Sequence, residues 1–123
     1  MSDKAKIFWL KEPEEHNYPA ALSYLSLVFN SNEPVEYVGK LREAPVSEFK
    51  AKDIFRASGL PSLGLSNENF RRDQKKISDG KALSPILLVR DSVHGKLIIA
   101  DGYHRLCAVY SYNEDELIPC KIV

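Results

Sequence analysis

The chain has 123 residues and a mass of 13.9 kDa, with 44% apolar and 28% charged side chains and seven scattered prolines. That length suits one domain, and the composition excludes a disordered, collagen-like or low-complexity protein. Seventeen Lys and Arg balance seventeen Asp and Glu, which argues against a dedicated nucleic-acid binder.

The charge is unevenly spread. Residues 1–39 hold three basic and six acidic side chains, residues 40–81 ten and six, and residues 82–123 four and five. An anion-binding surface is therefore expected in the middle third. The longest apolar runs, Ile7–Leu10, Ile86–Val89 and Leu97–Ala100, fall far short of the ~20 residues a bilayer span needs, so no membrane contact is expected. Lys4 and Lys6 precede an apolar stretch that stops at Lys11, unlike a secretory signal, and a soluble cytoplasmic protein is expected. Cys107 and Cys120 lack CxxC spacing and the three histidines are scattered, so two buried reduced thiols are expected rather than zinc or a disulfide.

In chain order, Ile7–Leu10 reads as a short extended piece. Asn17-Tyr18-Pro19 opens a helix, since proline in a first turn loses no intrahelical hydrogen bond, and Ala21, Leu22, Leu25 and Phe29 give it one apolar face. A second helix starts at Pro34 and buries Val35, Val38 and Leu41. Glu48–Ile54 reads as a strand with Phe49 and Ala51 on one face, and Ser58-Gly59-Leu60-Pro61 as a turn. A polar helix spans Ser66–Ser78, started by Ser66 or Asn67 and closed by Asp79-Gly80. Pro85–Arg90 and Leu97–Ala100 form a hairpin around Asp91–Lys96, a helix runs from about Tyr103 to Tyr112, and Ile118–Val123 is a terminal strand. Trp9, Tyr18, Tyr24, Phe29 and Phe49 read as core. His16 and His94 fall in loops without visible partners. The fold class is mixed α/β.

The step from Leu97–Ala100 into Asp101-Gly102-Tyr103-His104-Arg105 is the candidate site. A buried strand stops, glycine permits a tight turn, and a helix begins whose first N–H groups have no intrahelical partner. Such a terminus carries partial positive charge and binds anions, phosphate above all. Two basic side chains in that first turn are a local inconsistency, of the kind that functional sites produce. The alternative is equally consistent with the pattern: Asp101 is an N-cap, Arg105 pairs with it, and His104 is a surface residue.

Residues Gly80–Val89, Leu97–Ala108 and Ile118–Val123 together resemble the ParB/sulfiredoxin-like superfamily. There a strand with leucine, proline and isoleucine, a hairpin and a glycine turn lead to His-Arg or Arg-Arg on a helix, and a terminal strand starts with isoleucine and proline. The resemblance covers roughly the last 45 residues, with Glu48–Ile54 as the family's first strand. It divides the single domain into an N-terminal helical extension, residues 1–45, and a core, residues 46–123.

The resemblance implies a site for the phosphates of a nucleotide, ATP or CTP foremost, with Mg²⁺ as an accompanying ion. Gly102, His104 and Arg105 would hold phosphates, Ser84 would shape the wall, and Tyr103 would stack on base or ribose. The preceding helix would add Arg71 and Lys75. Asp101 is the leading candidate for base or metal ligand, and Glu48 the second. Two departures from the family narrow the reading. Sulfiredoxins carry a catalytic cysteine where this chain has Tyr103, so sulfinic-acid reduction is not expected. Partition proteins follow the module with a helix-turn-helix domain and a dimerisation tail, so independent chromosome segregation is not expected of residues 1–123 either.

The leading expectation is a nucleotide-binding protein of this superfamily, with hydrolysis or phosphoryl transfer left open. Second stands a non-catalytic interaction module whose N-terminal helices meet a protein partner or a second copy. DNA binding or cleavage ranks third.

Overall fold

Four consecutive apolar residues, Ile86–Val89, are fully buried, a pattern that arises when helices cover both faces of a sheet. The computed structural model, which describes residues 6–61 and 68–123, has this architecture. Its elements are α1 (Asn17–Val28), α2 (Glu33–Glu43), β1 (Ser47–Lys50), α3 (Ala51–Ser58), α4 (Glu68–Ser78), β2 (Ile86–Asp91), β3 (Lys96–Asp101), α5 (Tyr103–Tyr112) and β4 (Leu117–Ile122). The strands form one mixed sheet in the order β1-β4-β2-β3, with β4 and β2 parallel and the other neighbours antiparallel. The α/β class expected from the sequence is the class observed.

Side chains alternate across the sheet. Ile86, Leu88, Ile99, Ile118 and Cys120 join a core with Ile54 and Phe55 of α3, Phe70 and Ile77 of α4, and Leu106 and Val109 of α5. Leu87, Val89, Ile98 and Ala100 join a second core with Ala21 and Leu25 of α1 and Val38 and Leu41 of α2. Residues 1–45 are therefore no appendage to a separate core. Helices α1 and α2 supply one of the two layers, and Tyr24, Leu27 and Val28 on the outer face of α1 and Val35 on α2 stay exposed.

The chain before α1 is tied across the same sheet. Leu83 donates its N–H to the Phe8 carbonyl and accepts one from Leu10, both at 2.8 Å, so Trp9 pairs with Leu83 as expected of an extended piece. Lys121, 3% exposed, pairs with Glu12 at 3.2 Å and donates to the Arg42 carbonyl at 2.9 Å. The Glu14 N–H donates to Ser84 Oγ at 3.0 Å, which delivers the start of α1 to the end of β3.

Three expectations change. The strand predicted over Glu48–Ile54 ends at Lys50, where the Ala51 and Lys52 N–H groups find the carbonyls of Glu116 and Glu114 at 2.9 Å. Ala51, Ile54, Phe55 and Ser58, spaced i, i+3, i+4 and i+7, then bury one face of α3, and Gly59 closes it in the left-handed conformation. Helix α2 buries Pro34 instead of Val35, which is 62% exposed. Tyr24 and Phe49 are 44% and 38% exposed rather than core. The helix start assigned to Ser66 or Asn67 lies outside the described residues. Among the described residues, no helix is long and apolar enough to cross a membrane.

Both cysteines are free and buried, and burial pushes the Cys120 thiol up to about 12. A thiol held that high has almost no thiolate at neutral pH. Folded protein should therefore resist iodoacetamide at Cys120 at pH 8, with full labelling only in denaturant; rapid labelling of Cys120 under native conditions contradicts this packing.

Candidate functional site

The site begins with an irregularity in β3. Leu88 pairs with Ile99 but Leu87 pairs with Asp101, so the register slips at Ala100, one residue before Asp101 closes the ladder. Gly102 follows at φ 112°, a left-handed backbone that L side chains rarely adopt. A Cβ there would lie 2.4 Å from Ile86 Cγ2 and 2.7 Å from Ile86 Cβ. The glycine thus permits both the turn and the close approach of the start of α5 to β2. Gly102 is the N-cap of α5 and no side chain caps the helix, so Asp101 is not the capping residue that one sequence reading allowed.

The other half of that reading holds. Arg105 Nη2 donates to Asp101 Oδ2 at 2.6 Å, one turn apart, with side chains 13% and 20% exposed. Arg105 Nη1 donates to Asn17 Oδ1 at 3.3 Å, and Ser84 Oγ donates to the same oxygen at 2.5 Å. Those two donors fix which way the Asn17 carboxamide faces. Asp101, Arg105, Asn17 and Ser84 therefore form one network joining β3, α5, α1 and the entry to β2. A guanidinium in a first helical turn opposes the helix dipole, and Asp101 offsets that cost.

Around the network opens a polar cleft of about 280 Å³, lined by Glu14, His16, Asn17 and Ala20 at the start of α1, Arg72, Asp73 and Lys76 of α4, and Asp101, Gly102, His104 and Arg105. Three lysine or arginine side chains face three carboxylates. The Asp101 carboxyl is pushed above the usual carboxylate range by burial, against the opposing charge and hydrogen bond of Arg105. Asp73, 9% exposed, is also pushed up by burial, only partly offset by the charges of Arg105, Lys76, His104 and Arg72.

Of the residues marked from sequence, Asp101, Gly102, His104 and Arg105 come together in this cleft. Ser84 is buried behind it and acts through Asn17. Tyr103 does not line it: its hydroxyl donates to the Pro61 carbonyl, which turns the ring toward the end of α3. Arg71 and Lys75 do not line it either. They lie about 160° around α4 from Asp73 by helical geometry, and Lys75 is engaged with Asp79 at 3.2 Å. Arg72 and Lys76 take the place assigned to them. Glu48 sits on β1, the opposite edge of the sheet from β3, and is exposed, so it does not reach Asp101.

His16, Asn17 and Asp73 were not singled out as site residues. Asp73 had a readable signal: with Phe70 and Ile77 it marks the buried stripe of α4, where an acid is out of place. His16 and Asn17 had none, because only tertiary packing brings α1 to β3. In comparisons with known proteins, no family model, curated protein or solved structure matched the chain.

Two predictions follow from this geometry. Gly102→Ala combines left-handed strain with overpacking against Ile86 and should cost about 2–4 kcal/mol, read as a lower urea midpoint at unchanged slope. The raised Asp73 carboxyl contributes stability that is present while it is protonated and lost as pH rises through its folded-state value. Asp73→Asn should therefore melt above the natural protein at about pH 8, with the gap narrowing as pH falls toward the ordinary carboxylate value of 3.8; a gap that is constant or reversed refutes the assignment.

Proposed function

We propose that this chain is a ParB/sulfiredoxin-like protein that binds a nucleotide through its phosphates, in the cleft at the start of α5. The observation that carries the reading is the convergence of uncapped first-turn amides of α5 with Arg72, Lys76, His104 and Arg105 in one polar cleft. At about 280 Å³ the cleft sits near the low end of the ~300–1,000 Å³ usual for small ligands. It suits the phosphates and adjoining sugar, with the base extending beyond it.

Charge balance shapes the chemistry. With three cations against three carboxylates, a polyphosphate needs further neutralisation. Among the described residues no three His, Cys, Asp or Glu gather to hold a metal by themselves. Mg²⁺ fits in its usual manner, shared between phosphate oxygens, water and one carboxylate, where it would neutralise phosphate charge. Glu14, Asp73 and Asp101 are the carboxylates that line the cleft and would supply it. In hydrolysis or phosphoryl transfer, Arg72, Lys76 and Arg105 would stabilise charge on the transferring group. The same balance disfavours nucleic acid, which requires a strongly positive groove. A second reading, a docking module, is favoured only by the exposed Tyr24, Leu27 and Val28 on α1.

Calorimetric titration with ATP and CTP, with and without Mg²⁺, tests the proposal. Saturable binding is expected, and the Arg72→Ala and Lys76→Ala variants should each weaken it about tenfold, the loss of one charge-assisted contact. These positions are better probes than Arg105, whose removal leaves the buried Asp101 carboxylate unpaired. Absence of binding by folded protein, or binding indifferent to both substitutions, rejects the assignment.

A further inference from the structure

Asp73 is 9% exposed, lines the cleft, and forms no hydrogen bond or ion pair with a described residue. Arg105, Lys76, His104 and Arg72 act on it only through longer-range charge. An ionised carboxylate left in this state is costly, and a protein that keeps one has a use for it. Across the cleft, Asn17 is 4% exposed with its oxygen engaged by Ser84 and Arg105, which leaves its NH₂ group without an acceptor among the described residues. Among the described residues the only fully buried side-chain polar atom without a partner is Trp9 Nε1, so the Asp73 oxygens and the Asn17 NH₂ group, on largely buried side chains, open onto the cleft as one acceptor and one donor beside the α5 terminus.

Their chemistry selects the ligand group. A carboxylate can only accept, so its partner must donate. An ammonium would donate, but Arg105, Lys76, His104 and Arg72 would repel it, whereas a neutral hydroxyl meets no such opposition. The cations and helix amides take an anion. We propose that Asp73 accepts a hydrogen bond from a ligand hydroxyl next to the phosphate, with Asn17 donating to a neighbouring oxygen. The cleft then takes a phosphorylated polyol, either a free sugar phosphate or the ribose phosphate of a nucleotide. The inference rests on the phosphate reading of the same cleft and narrows it.

Three probes separate the two claims: D-ribose 5-phosphate, propyl phosphate, which lacks the hydroxyls, and inorganic phosphate, each titrated calorimetrically into the natural protein, Asp73→Ala and Asp73→Asn. The natural protein should bind ribose 5-phosphate at least about tenfold more tightly than propyl phosphate. Asp73→Ala should abolish that preference while binding inorganic phosphate as well or better, since a competing negative charge is gone. Asp73→Asn should keep part of the preference through its amide oxygen. Equal binding of the two esters, with inorganic phosphate still bound, overturns the hydroxyl inference and leaves the anion site standing. A uniform loss of all three probes in Asp73→Ala gives Asp73 a structural role and also overturns it. No binding of any phosphate overturns both claims.

Discussion

The contact between Gly102 and Ile86 is the constraint on which the cleft depends. No side chain fits between the start of α5 and β2, because a Cβ on residue 102 would fall within 2.7 Å of two Ile86 carbons. That close approach sets where the first-turn amides of α5 point and brings Arg105 to Asp101. The register slip works with it: Ala100 is left out of the ladder between the Leu88–Ile99 and Leu87–Asp101 pairs, which displaces Asp101 by one residue along β2. The anchor, β2, is itself held from both faces by the two cores. The site is therefore built on a strand with four consecutive fully buried residues, as a precise polar arrangement requires.

Electrostatics and packing pull against each other in this cleft. Burial disfavours the charged forms of Asp73 and Asp101, and the α5 terminus disfavours the cation of Arg105. The Asp101–Arg105 pair resolves one conflict by joining the two offenders. Asp73 has no such resolution within the described residues. Conflicts between local rules and the fold concentrate where a protein does its work, and stability is commonly given up there. Among the described residues, Lys121 is the other charged side chain of comparable burial, and it is tied to Glu12 and the Arg42 carbonyl.

Much of the fold was legible because local and tertiary preferences agree. The hairpin, Tyr103–Tyr112 and the terminal strand are bounded by turn residues, and their apolar periods match the faces they bury. Helix α3 was misread because Phe49 and Ala51 alternate as a strand would, while acceptors at Glu114 and Glu116, distant in sequence, decide where β1 ends. On α4, spacing showed that Arg71 and Lys75 share a face, but not that this face is turned away from the cleft.

The amino-acid sequence alone determined the α/β class, the strand–glycine–helix step at residues 97–105, and the basic character of the segment that supplies Arg72 and Lys76. These follow from periodicity, turn chemistry and charge, all properties of neighbours along the chain. Only the tertiary structure decided that Asp101 pairs with Arg105 instead of capping α5, that Glu48 lies on the far edge of the sheet, and that His16, Asn17 and Asp73 complete the cleft. Each of those depends on strand order or on the rotation of one helix against another. Such relations are set by burial across the whole domain, and no window along the chain contains them.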